Sequence, residues 1–400
     1  MNAKIIRCDN DLKLYQKLLE TPEVKRIKEQ LDRHEEKGPM GTRRHLLSTS
    51  VRLSAQMASG LHRMVDQCVE KLGLQIPVEL YAYSSPQFNA ACFKPEEGRL
   101  FIMFSSSLLE AFAEKELLFV VGHELGHHVY RHHDVPIGYI LQGKDRPSAS
   151  LALELFAWSR YAEISADRAG AFCSGDLDSI ARALFKLASG LTSSNVVQFS
   201  LDDFLRQLDD MMAADAEPGQ GAPMQDWFST HPFSPLRVKA LKLFDDCGML
   251  RSGQQAKTDL EIKVQAIMSL MEPNYIEART DTAETMRRLL FAGAVLVADA
   301  QAGISQEEMK VLKIFFGEAF DVDNLNIDKI KRELPNRIDA TRAQASMTQR
   351  MQVLRDLCIV AKAEGDTSAK ELEVIKEIAR GLEVPCGFVY QCVEEKLELD

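Results

Sequence analysis

Between Leu117 and His133 the chain reads LLFVVGHELGHHVYRHH and carries five of its nine histidines. Within it, His123, Glu124 and His127 form the pattern H-E-x-x-H. Residues four apart share one face of a helix, so His123 and His127 can offer imidazole nitrogens to a single metal ion. Glu124 lies one step round the same turn, within reach of a water beside such an ion, whose proton it can take. The apolar run from Leu117 to Val121 predicts that the motif sits on a buried helix from Glu114 to about His133. A helix that happens to carry two histidines and an acid is the plainer alternative. A third ligand decides between them.

One candidate stands on the next helical run, Leu151 to about Cys173, where Glu163 and Asp167 are four apart and point to one side. Ala162, Ala166, Ala169 and Gly170 beside them are small and would let this helix lie close against the motif helix. Zinc takes two imidazoles and a carboxylate readily and keeps a fourth position for water. Asp167 suits a different task, accepting the other N–H of a ligating histidine and fixing its tautomer. Spacing alone leaves the alternative open, a solvated helix face paired with Arg160 or Arg168. His231 precedes Pro232 and is therefore held extended; by itself it reads as structural or catalytic. His132 falls about half a helical turn off the face of His123, so it and His133 are expected on the solvent side or behind the ligands, with His128 not a ligand.

The elements that must position these groups are mostly helical. Residues 11–35 favour helix with a break at Thr21-Pro22, and a long helical pattern runs from Thr42 to Gly73 through Leu47, Val51, Leu53, Met57, Leu61, Met64, Val65 and Val69. Three short strands are predicted at Val78–Tyr83, Asn89–Phe93 and Arg99–Phe104, making a small sheet just before the motif helix. Residues 134–150 read as a loop, and Ala214 to Gly221 as a small, polar, mobile one.

Composition bounds the function. Four hundred residues suggest two or three domains, and 46% hydrophobic with 27% charged residues is ordinary for a globular protein. A net charge of -11 without a basic stripe argues against nucleic acid as a partner. No stretch has the apolar length of an integral membrane segment, and the opening residues lack a secretory pattern. Eight scattered cysteines include no C-x-x-C pair. The expectation is a soluble, cytoplasmic chain.

Taken in order, Asn89-Ala90, the His123–His127 motif, E-x-x-x-D at Glu163 to Asp167, and Thr230-His231-Pro232 with Arg237 downstream resemble the HtpX-like and CAAX-prenyl-protease-type zinc metallopeptidases, which are gluzincins. The resemblance covers residues 75 to 245. It implies a mainly α (α+β) fold with a small sheet, and peptide-bond hydrolysis with one zinc per chain held by His123, His127 and Glu163. Glu124 is then the general base and later protonates the leaving amine. By the same resemblance His231 stabilises the oxyanion, and Arg237 supports His231 or a nearby acid. Asn89, Ala90 and Ala91 would lie in the edge strand that receives an extended peptide substrate. Well-known members carry transmembrane helices or a secretory signal, and neither is visible in this sequence.

The last third differs. Leu296 to Ala300 with Ser305-x-x-Glu308 repeats as Ile359 to Ala363 with Ser368-x-x-Glu371, an offset of 63 residues. Each Ser-x-x-Glu is a capping box opening a helix. This part resembles the TerB-like helical domain of tellurite resistance, and the second copy keeps that pattern through Glu364-Gly365. The first copy has Gln301-Ala302, so the turns read as capped connections rather than metal sites. The expected organisation is a helical flank over 1–75, a zinc metallopeptidase domain over 76–250, a connector over 251–275 and an all-α bundle over 276–400. The function expected is a zinc metalloendopeptidase with a regulatory or docking domain. The competing reading is a non-catalytic or latent scaffold that engages a partner protein through the helical domain.

Overall fold

The computed structural model describes residues 3–35, 41–142, 147–192, 196–214, 229–248, 254–271, 275, 281–301, 303–317, 320–322 and 325–394. The expected mobile stretch after Ala214 lies outside them. The chain divides into two compact units, one within residues 1–208 and 228–261, the other within 209–227 and 262–400. The fold is mainly α with one small sheet.

In the first unit α1 (Asp9–Glu20) and α2 (Pro22–Glu35) meet at Thr21, where Pro22 opens the second helix without needing an amide hydrogen. The single helix expected from Thr42 to Gly73 is instead three elements. They are α3 (Thr42–Thr49), β1 (Val51–Leu53) and α4 (Ser59–Leu72). The Ser48-Thr49-Ser50 run explains the break. Ser48 and Thr49 hydroxyls both donate to the His45 carbonyl, and the Ser50 hydroxyl donates to that of Leu46. Side chains thus take over the carbonyls at the helix end. Val51–Leu53 then pairs antiparallel with Ala82–Leu80.

The sheet has the order β1-β2-β4-β3, with β2 (Val78–Tyr83), β3 (Ala90–Glu96) and β4 (Arg99–Ser105). β2 and β4 run parallel, and the other pairs are antiparallel. Leu100, Ile102 and Phe104 of β4 are fully buried and share a core with Leu118, Val121 and Leu125. That core is the floor under the motif helix. Ser105 caps the short α5 (Ser106–Ala111) by accepting from the Leu108 amide.

The motif helix, α6 (Glu114–Val129), ends earlier than expected. Arg131 takes a left-handed backbone (φ 61°), and a 3-10 turn over His132–Asp134 follows. The expected loop after it contains α7 (Ile137–Gln142). Next come α8 (Ala149–Ser174), α9 (Leu177–Ser189), α10 (Leu201–Ala214), α11 (Ser234–Asp246) and α12 (Gln254–Met268). The division between the units falls within α10 and α12.

The second unit is a helical bundle of α13 (Asp281–Ala298), α14 (Gln306–Phe316), α15 (Ile327–Gln344), α16 (Met347–Ala361), α17 (Ala369–Gly381) and α18 (Cys386–Glu394). Its core gathers Met286, Leu289, Val295, Leu312, Leu357, Ile375 and Ile378. Both capping boxes form: Ser305 with Glu308 and Ser368 with Glu371. The repeat read from the sequence is thus a repeat of helix, turn and capped helix.

Candidate active site

The site depends on how closely α6 and α8 approach. A Cβ on Gly122 would stand 2.7 Å from Cys173 Cβ, and one on Gly126 2.8 Å from Ala169 Cβ. Neither position has room for a side chain, so the two backbones pack closely along the small residues. This packing brings Glu163 of α8 onto the two histidines of α6. Nε2 atoms of His123 and His127 are 3.1 Å apart, and each lies 3.4 Å from a Glu163 carboxylate oxygen.

This arrangement fits a zinc ion. Nitrogen and oxygen donors about 2.0–2.1 Å from zinc in a tetrahedron stand roughly 3.3–3.4 Å from each other. The three side chains form a group of potential ligands, the only such group of three or more among the described residues. Glu163 Oε2 is buried and makes no hydrogen bond, an expense that a cation would remove. Burial opposes ionisation of Glu163, yet the surrounding histidines outweigh it and hold the carboxyl well below its ordinary range. Conversely, Glu163, Glu124 and Asp167 overcome burial and push His127 upward. Three acids around two imidazoles attract a cation, whether proton or metal.

Behind these three side chains, Asp167 accepts a hydrogen bond from His123 Nδ1 at 2.9 Å, which leaves Nε2 with its lone pair toward Glu163. Arg237, in the first turn of α11, grips Asp167 through Nε (2.8 Å) and Nη2 (2.6 Å). It also comes within 3.5 Å of Glu163 Oε2. Of the two partners expected for Arg237, the structure gives it the acids and not His231. Burial raises Asp167, but Arg237 and His123 outweigh it and keep the carboxyl below its ordinary value.

Glu124 points to the sheet, its Oε2 accepting the Cys92 amide of β3 at 2.8 Å. His231 is mostly exposed, with Nε2 3.6 Å from Glu163 Oε1 and Nδ1 2.8 Å from the Thr230 hydroxyl. Its loop is tied to α8 where Arg160 donates to the Ser229 carbonyl. β3 is an edge strand, but its register narrows the expected substrate contacts. Asn89 O accepts from Ser105 N, so Asn89 and Ala91 turn their main-chain groups toward β4. Ala90 and Cys92 face the free edge instead. Main-chain pairing with a peptide therefore cannot run through Asn89 or Ala91, and the Asn89 side chain is engaged by the Tyr83 hydroxyl.

Of the two places expected for His132, the structure gives it the one behind the histidine pair. Because α6 stops at Val129, the chain folds back and seats the buried His132 ring 5.0 Å from that of His127. His127 and His132 share a hydrogen bond between their Nδ1 atoms (2.8 Å), and His132 Nε2 meets Asp11 of α1 at 3.0 Å. Burial pushes His132 below its ordinary value, against the pull of Asp11. Asp11 and the Cys92 amide have no signal in sequence, since one is a lone acid in a polar helix and the other a backbone group.

Comparison with known proteins matches two family models. Residues 55–143 and 138–244 match the model of peptidase family M48, and residues 287–387 match that of tellurite resistance protein TerB. The chain therefore carries an M48 peptidase domain followed by a TerB domain. A plastoglobule-localized metallopeptidase 48 of Arabidopsis thaliana is 31% identical over 212 residues, 49% of this chain and 59% of that relative. A protease HtpX homolog of Burkholderia thailandensis is 28% identical over 221 residues, 46% of this chain and 73% of that relative. No solved structure matches. No helix among the described residues is long and apolar enough to cross a membrane.

Proposed function

We propose that the chain is a zinc-dependent metalloendopeptidase, with one zinc held by His123, His127 and Glu163. The observation that carries this reading is the convergence of those three groups, with Glu163 Oε2 buried and unbonded. Zinc there supplies Lewis acidity and makes water a usable nucleophile near neutral pH. Glu124 holds one carboxylate oxygen on the Cys92 amide and keeps the other for the attacking water. It takes that proton and returns it to the leaving amine. His231 donates from Nε2 to the carbonyl oxygen as it gains charge, with the Thr230 hydroxyl on Nδ1. Asp167 and Arg237 keep His123 oriented. An extended peptide adds along the outer edge of β3, pairing through Ala90.

The TerB domain serves as a docking or regulatory element; its own closed core supports a separable role. The eight free cysteines support a reducing, cytoplasmic setting. The test is zinc content together with cleavage of an unfolded protein by wild type and Glu163→Ala. Wild type is expected to hold one zinc and cleave, and Glu163→Ala to lose both. A Glu163→Ala variant that kept its zinc would contradict the ligand assignment.

A further inference from the structure

Asp11 lies on α1, outside the stretch that matches the M48 family, yet its carboxylate is buried beneath the candidate metal site. It accepts from five donors. Arg7 supplies Nε (2.7 Å) and Nη2 (3.0 Å), Ser165 its hydroxyl (2.7 Å), Trp158 its indole N–H (3.1 Å) and His132 its Nε2 (3.0 Å). A carboxylate only accepts, so His132 carries a hydrogen on Nε2. The 2.8 Å contact between the two Nδ1 atoms needs one donor and one acceptor, and with a metal on its Nε2, His127 is the donor. Nε2 of His127 faces His123 Nε2 and Glu163.

We infer that Asp11 is a positioning residue for the metal ligand His127, acting through His132 to fix the tautomer and ring orientation that present Nε2 to zinc. The helix of the N-terminal segment thereby completes the site, and does for His127 what Asp167 does for His123. Two other donors, Ser165 and Trp158, are on α8, the helix that carries Glu163. Asp11 is therefore held against the element that supplies the third ligand. Zinc affinity is expected to depend on a residue more than a hundred positions from the motif.

This inference rests on the zinc reading above, and the experiment separates the two. Zinc affinity of the full chain is measured by competition with a chromophoric chelator for wild type, Asp11→Asn, Asp11→Ala and Tyr15→Phe. Thermal unfolding of each metal-free protein is followed alongside. Asn keeps an acceptor for His132, so affinity is expected to fall about tenfold in Asp11→Asn and up to about a hundredfold in Asp11→Ala. Tyr15→Phe removes the bond from Tyr15 to Asp134 that ties down the same helix, and is expected to leave zinc affinity unchanged. Visible bands of the cobalt-substituted protein are expected to shift in Asp11→Ala but not in Tyr15→Phe. If Asp11→Ala does not fold without metal, the comparison of Asp11→Asn with Tyr15→Phe decides the matter. Asp11→Asn binding zinc as tightly as wild type, or Tyr15→Phe weakening it equally, overturns the inference. A wild-type chain that binds no zinc overturns the metal reading itself.

Discussion

At the scale of residues, the pair Asp167 and Arg237 shows how charge is held inside the site. Arg237 is buried, and its own pKa is raised because Asp167 outweighs the cost of burial. Arg237→Met would leave Asp167 a buried carboxylate with only His123 as partner. Breaking a buried pair in this way costs about 3–5 kcal/mol, and chemical denaturation of the metal-free protein measures it. The sign in pH follows from the direction of the shift. A carboxyl depressed by folding stabilises above its unfolded pKa, and that contribution is lost as pH falls through the folded value. Removing Arg237 raises the folded value, so acid unfolding of Arg237→Met is expected to begin at higher pH than in wild type. Asp11 gives a second case, lowered from 3.8 to about 2 by His132 and Arg7 against the cost of burial. Its contribution, roughly 2 kcal/mol, is complete above about pH 4 and lost towards pH 2. Asp11→Asn is expected to flatten the acid limb over that window.

Much of the site is legible at this scale because helical period is a strong constraint. Four-residue spacing by itself pairs His123 with His127 and Glu163 with Asp167. The same period leaves both places open for His132, since no residue type in Val129-Tyr130-Arg131 announces that the helix stops. Asp11 is invisible in the sequence because its partner His132 lies 121 positions away. The exposed edge of β3 is foreseeable, but which residues face outward depends on register, and that is set by pairing rather than by the strand itself.

At the scale of elements, the approach of α6 to α8 governs the geometry. Gly126→Ala improves helix propensity by about 1 kcal/mol, yet its Cβ would meet Ala169 Cβ at 2.8 Å and Ala166 Cα at 3.1 Å. Overpacking of this kind costs about 1–3 kcal/mol, and separating the helices draws Glu163 away from the histidines. Gly126→Ala is therefore expected to bind zinc less tightly while remaining folded, as a zinc titration with circular dichroism would report. A substitution that left zinc affinity intact would show that the site tolerates a wider spacing. The missed strand β1 belongs to this scale. Apolar residues at four-residue steps across Thr42 to Gly73 mimic one helix, and three consecutive hydroxyl residues end it. In the bundle, by contrast, Ser-x-x-Glu is a local signal, and both caps are readable. Ser368→Ala is expected to cost about 1 kcal/mol, which thermal unfolding of the variant would measure.

At the scale of the whole molecule, two units with separate cores imply two sources of stability. A ligand that binds only the folded form of one unit stabilises that unit by mass action, about 2.7 kcal/mol at a hundredfold excess over its dissociation constant. Calorimetry with and without a chelator is expected to show the transition of the peptidase unit falling on zinc removal. The transition of the TerB unit is expected to stay where it is. A shift of both would mean that zinc is felt beyond the three ligands named above.

The central claim is that Glu124 does chemistry beside zinc and does not hold it. Zinc content and cleavage of an unfolded protein substrate, measured together on wild type and Glu124→Gln, test that claim most directly. The expected result is one zinc per chain in both proteins, with cleavage by Glu124→Gln reduced about a hundredfold to ten-thousandfold. A Glu124→Gln variant that cleaves as fast as wild type, with its zinc in place, would contradict it.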